Sequence, residues 1–380
     1  MQYRRFGKLD VQVSALGFGC MRLPTYESNE EINEPEATRM MHYAIDHGVN
    51  YIDTAYPYHG GNSEKVLGRA LQGGYRDRVQ LATKLPCWQV NEYADFDRLL
   101  HEQLERLQTE HIDFYLLHSL SQETWTKVYN LDVLRWAEGA IADGRIGHLG
   151  FSFHDQYDVF QQIVDAYDNW TFCQIQYNYL DQEYQAGTRG LEYAAAKGLA
   201  VVIMEPLLGG RLVNPPEAVQ ALWDTADTRR SAPDWALQWL WNKPEVSVVL
   251  SGMTTMPQVQ ENVASADRSG IGTLTDQELA LVEQVRQTYH DLCVVPCTGC
   301  KYCMPCPNGV NIPGNFELLN NGIMYNQMEE AIRRYATMAD GESAGSCIEC
   351  HQCEEKCPQH ISIVDELARV SETLGVQVNA

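Results

Sequence analysis

No stretch of about 18 or more apolar residues occurs in this chain, which excludes a membrane-spanning helix. The N-terminal MQYRRFGKLDVQVSALGFG has basic residues but neither an apolar core segment nor a small-residue cleavage site, which argues against secretion. Positive charge is scarce: 28 Lys and Arg face 51 Asp and Glu, a formal net charge of −23. So acidic a surface repels nucleic acid and anionic membranes, which excludes both as partners. Its simplest role is solubility. Also missing is a G-x-G-x-x-G turn after the first strand-like run, the mark of an open dinucleotide-binding sheet. The absences point to a cytoplasmic protein, and 380 residues suffice for one large domain with an appendage.

Short β-rich runs recur through the first 255 residues with helical segments between them. They are ALGFGC (15–20), NYIDTA (50–55), VQLATK (79–84), DFYLLH (113–118), GHLGFSF (147–153), FCQIQY (172–177), AVVIMEP (200–206) and VSVVLSG (246–252). Each is almost continuously apolar, as in parallel strands buried on both faces. Between them, DRLLHEQLERLQ (97–108) groups Leu99, Leu100, His101, Leu104 and Leu107 near one helical face. The alternation predicts a (β/α)8 TIM barrel, whose active site lies at the C-terminal ends of its strands.

Three successive strand ends carry proton-handling residues. Asp53 ends the second run, with Tyr58 in the loop after it; Lys84 ends the third and His118 the fourth. Singly, each has an ordinary structural use, as a cap or a strand-terminal hydrogen bond. Together they suit carbonyl reduction, in which hydride addition leaves negative charge on oxygen and calls for a proton donor. Lys84 would make the Tyr58 phenol a better acid, Asp53 would hold Lys84 protonated, and His118 would orient the substrate oxygen.

On YIDTAYPYHGGNSEKVLGRAL, LATKL, DFYLLHSL and GMTTMPQVQENV, residues 1–290 resemble the aldo-keto reductases. The resemblance implies catalytic residues Tyr58, Lys84, Asp53 and His118, a small-molecule substrate, and NAD(H) or NADP(H) bound across the strand ends. It implies coenzyme contacts at Gly19, Cys20, Met21, Ser152, Gln174, Glu205, Leu207, Ser251, Gly252, Met253, Gln258, Glu261 and Asn262. Three positions depart from the family pattern. Phe153 replaces an Asn, Met204 an aromatic ring and Gln258 a basic residue, which favours NADH or weak binding of either coenzyme.

Twelve cysteines in a cytosolic chain do not indicate disulfides. Cys20, Cys87, Cys173 and Cys293 are scattered and read as small buried hydrophobes. The other eight form two runs, Cys297-x2-Cys300-x2-Cys303-x2-Cys306-Pro and Cys347-x2-Cys350-x2-Cys353-x3-Cys357-Pro. The second is the bacterial 4Fe-4S pattern, and exchange of the fourth cysteine between runs would give two clusters. One would be held by Cys297, Cys300, Cys303 and Cys357, the other by Cys347, Cys350, Cys353 and Cys306. Tetrahedral zinc is the alternative for paired C-x-x-C units. The long linker between the runs, with Met328, Ala331, Ile332 and Tyr335 at helical spacing, resembles an α-helical ferredoxin domain over 291–380. The whole resembles the ferredoxin-fused branch of the aldo-keto reductases.

A nicotinamide moves electrons in pairs and a cubane singly, so exchange between them calls for a carrier such as a flavin. The expectation is an oxidoreductase acting on a carbonyl or related substrate, with electron transfer through the clusters from a small electron carrier protein. Two alternatives stand beside it: a nicotinamide-dependent carbonyl reductase with structural clusters, and a redox-sensing interaction module on a reductase scaffold.

Overall fold

The structure is a computed structural model that describes residues 1–376; residues 377–380 lie outside the described residues. Eight strands close into a parallel barrel: β3 (Leu16–Gly19), β4 (Tyr51–Asp53), β5 (Gln80–Leu85), β6 (Ile112–Leu120), β7 (Ile146–Phe153), β8 (Phe172–Gln176), β9 (Ala200–Met204) and β10 (Val246–Gly252). β10 pairs with both β3 and β9, which leaves no open edge. All eight fall on the β-rich runs of the sequence. β4 and β8 are buried at every residue, as parallel strands between a filled interior and a helical layer must be.

Two further strands have no counterpart in the sequence reading. β1 (Tyr3–Arg5) and β2 (Gln12–Ser14) form an antiparallel hairpin. The turn between them puts Phe6 against Tyr51, Phe114 and Phe172, at ring-centroid distances of 5.9, 4.4 and 5.4 Å. Tyr51 and Phe172 open β4 and β8, so the hairpin plugs the N-terminal end of the barrel. Gly7 makes this approach possible: its φ is +56°, and a Cβ there would lie 2.5 Å from the Ala200 nitrogen. Neither strand, YRR or QVS, carries the apolar run that marks the barrel strands in the sequence.

The chain divides into two compact units. One comprises Met1–Gly210 and Pro233–Thr275; the other comprises Arg211–Ala232 and Asp276–Ala380. In the second unit the helices Ile312–Met324, Met328–Ala336 and Ile363–Leu374 enclose Phe316, Leu319, Ala331, Tyr335, Leu367 and Val370. The helical spacing around Met328 thus belongs to a real helix, with Ala331 and Tyr335 on its buried face. Asn315 ties a loop to this core, donating to the Glu342 carbonyl at 2.8 Å and accepting from the Ala344 amide at 2.8 Å. No helix among the described residues is long and apolar enough to cross a membrane.

Candidate active site

Strand register brings the charged pair together. Asp53 is opposite Ala82, so Lys84, two residues further along β5, projects from the same side of the sheet. Its ammonium donates to Asp53 Oδ1 at 2.6 Å and to the Thr54 carbonyl at 2.7 Å. Both side chains are almost inaccessible, at 1% and 4% exposure. Tyr58 opens a tight turn after β4, and the Lys84 Nζ lies 5.2 Å from its ring centre. His118, near the end of β6, meets the Tyr58 ring edge-on at 6.1 Å and has Trp88 at 5.0 Å on another side.

The turn carrying Tyr58 is held by unusual backbone. His59, Gly60 and Gly61 have φ of 52°, 62° and 89°, three left-handed residues in succession. The two glycines adopt this freely; His59 is kept there by its Nδ1, 2.5 Å from the Asn29 carbonyl. The next helix, Asn62–Ala70, carries Ser63 in its first turn, whose hydroxyl is 2.9 Å from Thr54 Oγ1 and donates to the Cys20 carbonyl at 3.1 Å. One side chain thereby links the ends of β3 and β4.

Burial and charge then set the protonation states. Burial pulls the Lys84 ammonium down, but Asp53 and Tyr58 more than offset it and the net shift is upward. Burial raises the Asp53 carboxyl despite Lys84. For Tyr58, burial raises the phenol more than Lys84 lowers it, so the acidifying effect expected of Lys84 is present but outweighed. His118 is driven well below its ordinary value by burial, then by Lys84 and His154, and is neutral at pH 7. Its Nδ1 is buried without a hydrogen-bond partner.

The residues expected to contact a coenzyme share this end of the barrel. Gly19 ends β3 beside Gly252 at the end of β10, and Cys20 is buried while Met21 is exposed. Ser152 in β7 sits opposite Gln174 in β8; its hydroxyl accepts from the Ser119 amide at 2.7 Å. Gln174 Oε1 is buried without a partner, and its amide nitrogen lies 3.6 Å from Met204 Sδ. Glu205 follows β9 in a left-handed conformation, and Leu207 comes next but one. Asn262 donates to Ser251 Oγ at 3.0 Å, and Met253 is buried. Gln258 Oε1 accepts from the Thr254 and Thr255 amides, so it caps the helix Met256–Asp267, which also carries Glu261.

Three residues at this end were missed from sequence. Trp88 walls His118. Arg22 crosses Gly252, where a Cβ would come within 2.7 Å of its Cγ. Glu64 is a fully buried carboxylate behind Lys84. None had a local signal: Glu64 stands among Asn62, Ser63 and Lys65, where a carboxylate reads as a solvated helix start. Two arginines elsewhere in the sequence are engaged away from Gln258: Arg268 pairs with Asp234 at 3.0 Å, and Arg211 stacks on Tyr325 in the second unit.

The cysteine runs depart from expectation. Cys297, Cys303, Cys306, Cys347, Cys353 and Cys357 flank the helical core half-buried, while Cys300 and Cys350 are exposed. Burial raises the Cys303 thiol, with smaller contributions from Cys297, Cys300 and Cys357, so the two runs do approach one another. Proximity is not convergence. Among the described residues, no group of three or more His, Cys, Asp or Glu side chains is placed to hold a metal ion. Ligation needs donors meeting at roughly 2.3 Å from one point. Two 4Fe-4S clusters, their metal-binding cysteine sets and electron transfer through them are therefore corrected out of the functional reading. The electron carrier protein, expected as donor to those clusters, loses its rationale with them.

Comparison with known proteins accords with the barrel and its chemistry. Residues 15–287 match the Aldo/keto reductase family, and residues 296–361 match the 4Fe-4S dicluster domain. The L-galactose dehydrogenase of Arabidopsis thaliana is 26% identical over 312 residues, 77% of this chain and 96% of its own. An uncharacterized oxidoreductase of Bacillus subtilis, YqkF, is 26% identical over 318 residues, 74% of this chain and 96% of its own. Among solved structures, the holo form of aldo-keto reductase AKR11C1 from Bacillus halodurans has a TM-score of 0.64 at 26% identity, covering 75% of this chain and 96% of its own. With most of its length matched, the chain belongs to the aldo-keto reductase family of oxidoreductases, and carries behind its barrel a segment of the 4Fe-4S dicluster type.

Proposed function

We propose that the barrel interconverts a small-molecule carbonyl compound and its alcohol, with Tyr58 as the proton donor in reduction and acceptor in oxidation. The observation that carries this reading is the Lys84 ammonium, buried, held at 2.6 Å by Asp53 and lying 5.2 Å from the Tyr58 ring centre. A cation in that position lowers the cost of the negative charge that the phenol acquires when it gives up its proton. Asp53 keeps the cation charged against its burial. His118, neutral, offers one ring N–H to the substrate oxygen and orients it toward Tyr58. Trp88 shields the imidazole from water on one side.

The strand ends fit a nicotinamide dinucleotide. Gln174 Oε1, buried and without a partner, has an acceptor free for an amide, and Ser152 stands opposite it. Gly19 and Gly252 end two adjacent strands there without a side chain of their own. When bound, such a coenzyme supplies hydride for reduction and accepts it in oxidation. The chemistry falls within residues 1–290, and residues 291–380 have no step in it. Likeness to an L-galactose dehydrogenase makes hydroxyl-rich aldehydes and alcohols the first substrates to assay.

The test is Tyr58→Phe, which removes one hydroxyl and leaves the ring. Turnover falls by a factor on the order of 10² or more, with unchanged thermal unfolding. Unaltered turnover in the Phe protein would take Tyr58 out of the reaction.

A further inference from the structure

Glu64 takes no part in the proton transfer above, yet its carboxylate is wholly inaccessible. Its Oε1 accepts from Thr83 Oγ1 and from Gln103 Nε2, both at 2.7 Å, and its Oε2 accepts from Arg106 Nη1 at 3.2 Å. Gln103 and Arg106 belong to the helix Ala94–Leu107. These donors lead to the two sides of the Tyr58–Lys84 pair. Thr83 immediately precedes Lys84 in β5. The Gln103 amide that binds Glu64 also donates to the Lys84 carbonyl at 3.0 Å, and Tyr115 fixes the Gln103 oxygen at 2.6 Å. On the other side, the Arg106 guanidinium lies 4.0 Å over the ring of Tyr56, two residues before Tyr58. Glu64 itself sits on the helix that closes the Tyr58 turn.

From this juxtaposition we propose that Glu64 is a positioning residue that sets the separation between the Lys84 ammonium and the Tyr58 phenol. The proposal rests on the acid–base reading of Tyr58. Burial raises the Glu64 carboxyl even with its three donors, so an ionisable group stands where packing alone would select an apolar one. An apolar side chain of similar size would fill the space but leave Thr83, Gln103 and Arg106 without their acceptor. What the carboxylate adds is direction: one rigid group receives β5, the neighbouring helix and, through Arg106, the Tyr58 loop. The influence of Lys84 on the phenol weakens with distance. A slackened brace therefore raises the pKa of Tyr58 without touching either residue.

The phenol can be followed without a substrate. Full-length protein labelled with 13C at the tyrosine ζ carbon is titrated by NMR, and the Tyr58 signal is the one absent from Tyr58→Phe. Lys84→Met moves the Tyr58 titration upward by about one unit or more. Glu64→Gln moves it the same way by about half a unit, and Thr83→Val, nearly equal in volume, reproduces the shift if Glu64→Gln folds poorly. Added to Lys84→Met, Glu64→Gln has no further effect on Tyr58, because its influence passes through Lys84. A lowered unfolding temperature with an unmoved Tyr58 signal in both Glu64→Gln and Thr83→Val would leave Glu64 a purely structural residue and overturn the proposal. A Tyr58 signal unmoved by Lys84→Met would instead defeat the underlying acid–base reading.

Discussion

At Tyr58 two influences oppose each other: burial favours the neutral phenol, and the Lys84 ammonium favours the phenolate. A proton donor that starts protonated and meets a cation as it ionises is suited to reduction at neutral pH. His118 shows the opposite balance, because burial, Lys84 and His154 all disfavour its charged form. Its pKa in the folded chain lies well below the ordinary 6.5, so the unfolded chain binds the extra proton first as pH falls. The stability His118 contributes is therefore present above about pH 6.5 and is lost progressively below it. His148 and His154, also lowered, add to the same acid-side loss. In urea unfolding, the drop in midpoint between pH 8 and pH 5.5 narrows in His118→Gln but does not vanish. An unchanged gap would mean that His118 titrates normally in the fold.

Among the elements, the hairpin of β1 and β2 does work that its length conceals. It closes the end of the barrel opposite the site, and Phe6 enters between Phe114 and Phe172 on a turn that only glycine accommodates. Gly7→Ala combines a left-handed φ with a contact at 2.5 Å to backbone that cannot swing aside. The substitution should cost about 2–4 kcal/mol, measured as a lower urea midpoint with an unchanged slope. The active-site end should be spared, so residual folded protein keeps its turnover per molecule. The turn after β4 follows similar rules at the functional end, where two glycines and a tethered His59 aim Tyr58 at Lys84.

For the whole molecule, the division into compact units cuts across the sequence. The segment Arg211–Ala232 groups with Asp276–Ala380 although it lies between β9 and β10. Within that unit the helix Glu217–Trp223, with Val219 and Trp223 buried, packs against the helix Asp276–Asp291. A chain cut after Thr275 loses this partner and exposes apolar surface; a chain cut after Asp291 keeps it. Aggregation and binding of a hydrophobic dye should rise in the shorter form and stay near the full-length level in the longer one. Equal behaviour of the two would show that the helix pair shields no apolar surface of consequence.

Eight barrel strands could be read from the sequence because burial on both faces writes itself locally, as an almost continuous apolar run at each strand. The polar residues that interrupt those runs, Asp53, Lys84 and His118, were legible for the same reason: a charge ending an apolar strand is conspicuous. Tyr58 was legible through the motif around it. The net direction of its pKa was not, since that depends on how much of the folded barrel surrounds the phenol as well as on its neighbouring cation. Gln258 reads as a coenzyme contact from its position, and only the folded helix start shows its oxygen serving as a cap. Glu64 lies within the motif around Tyr58, but its three donors come from residues up to 42 positions away. The cysteines mark the limit most clearly. Spacing brings thiols close along the chain, but whether several of them point at one centre is decided by backbone turns and core packing. Local composition thus determined the strands and their polar ends, and the tertiary structure alone decided which groups converge and what charge they hold, because convergence and burial are properties of the assembled chain.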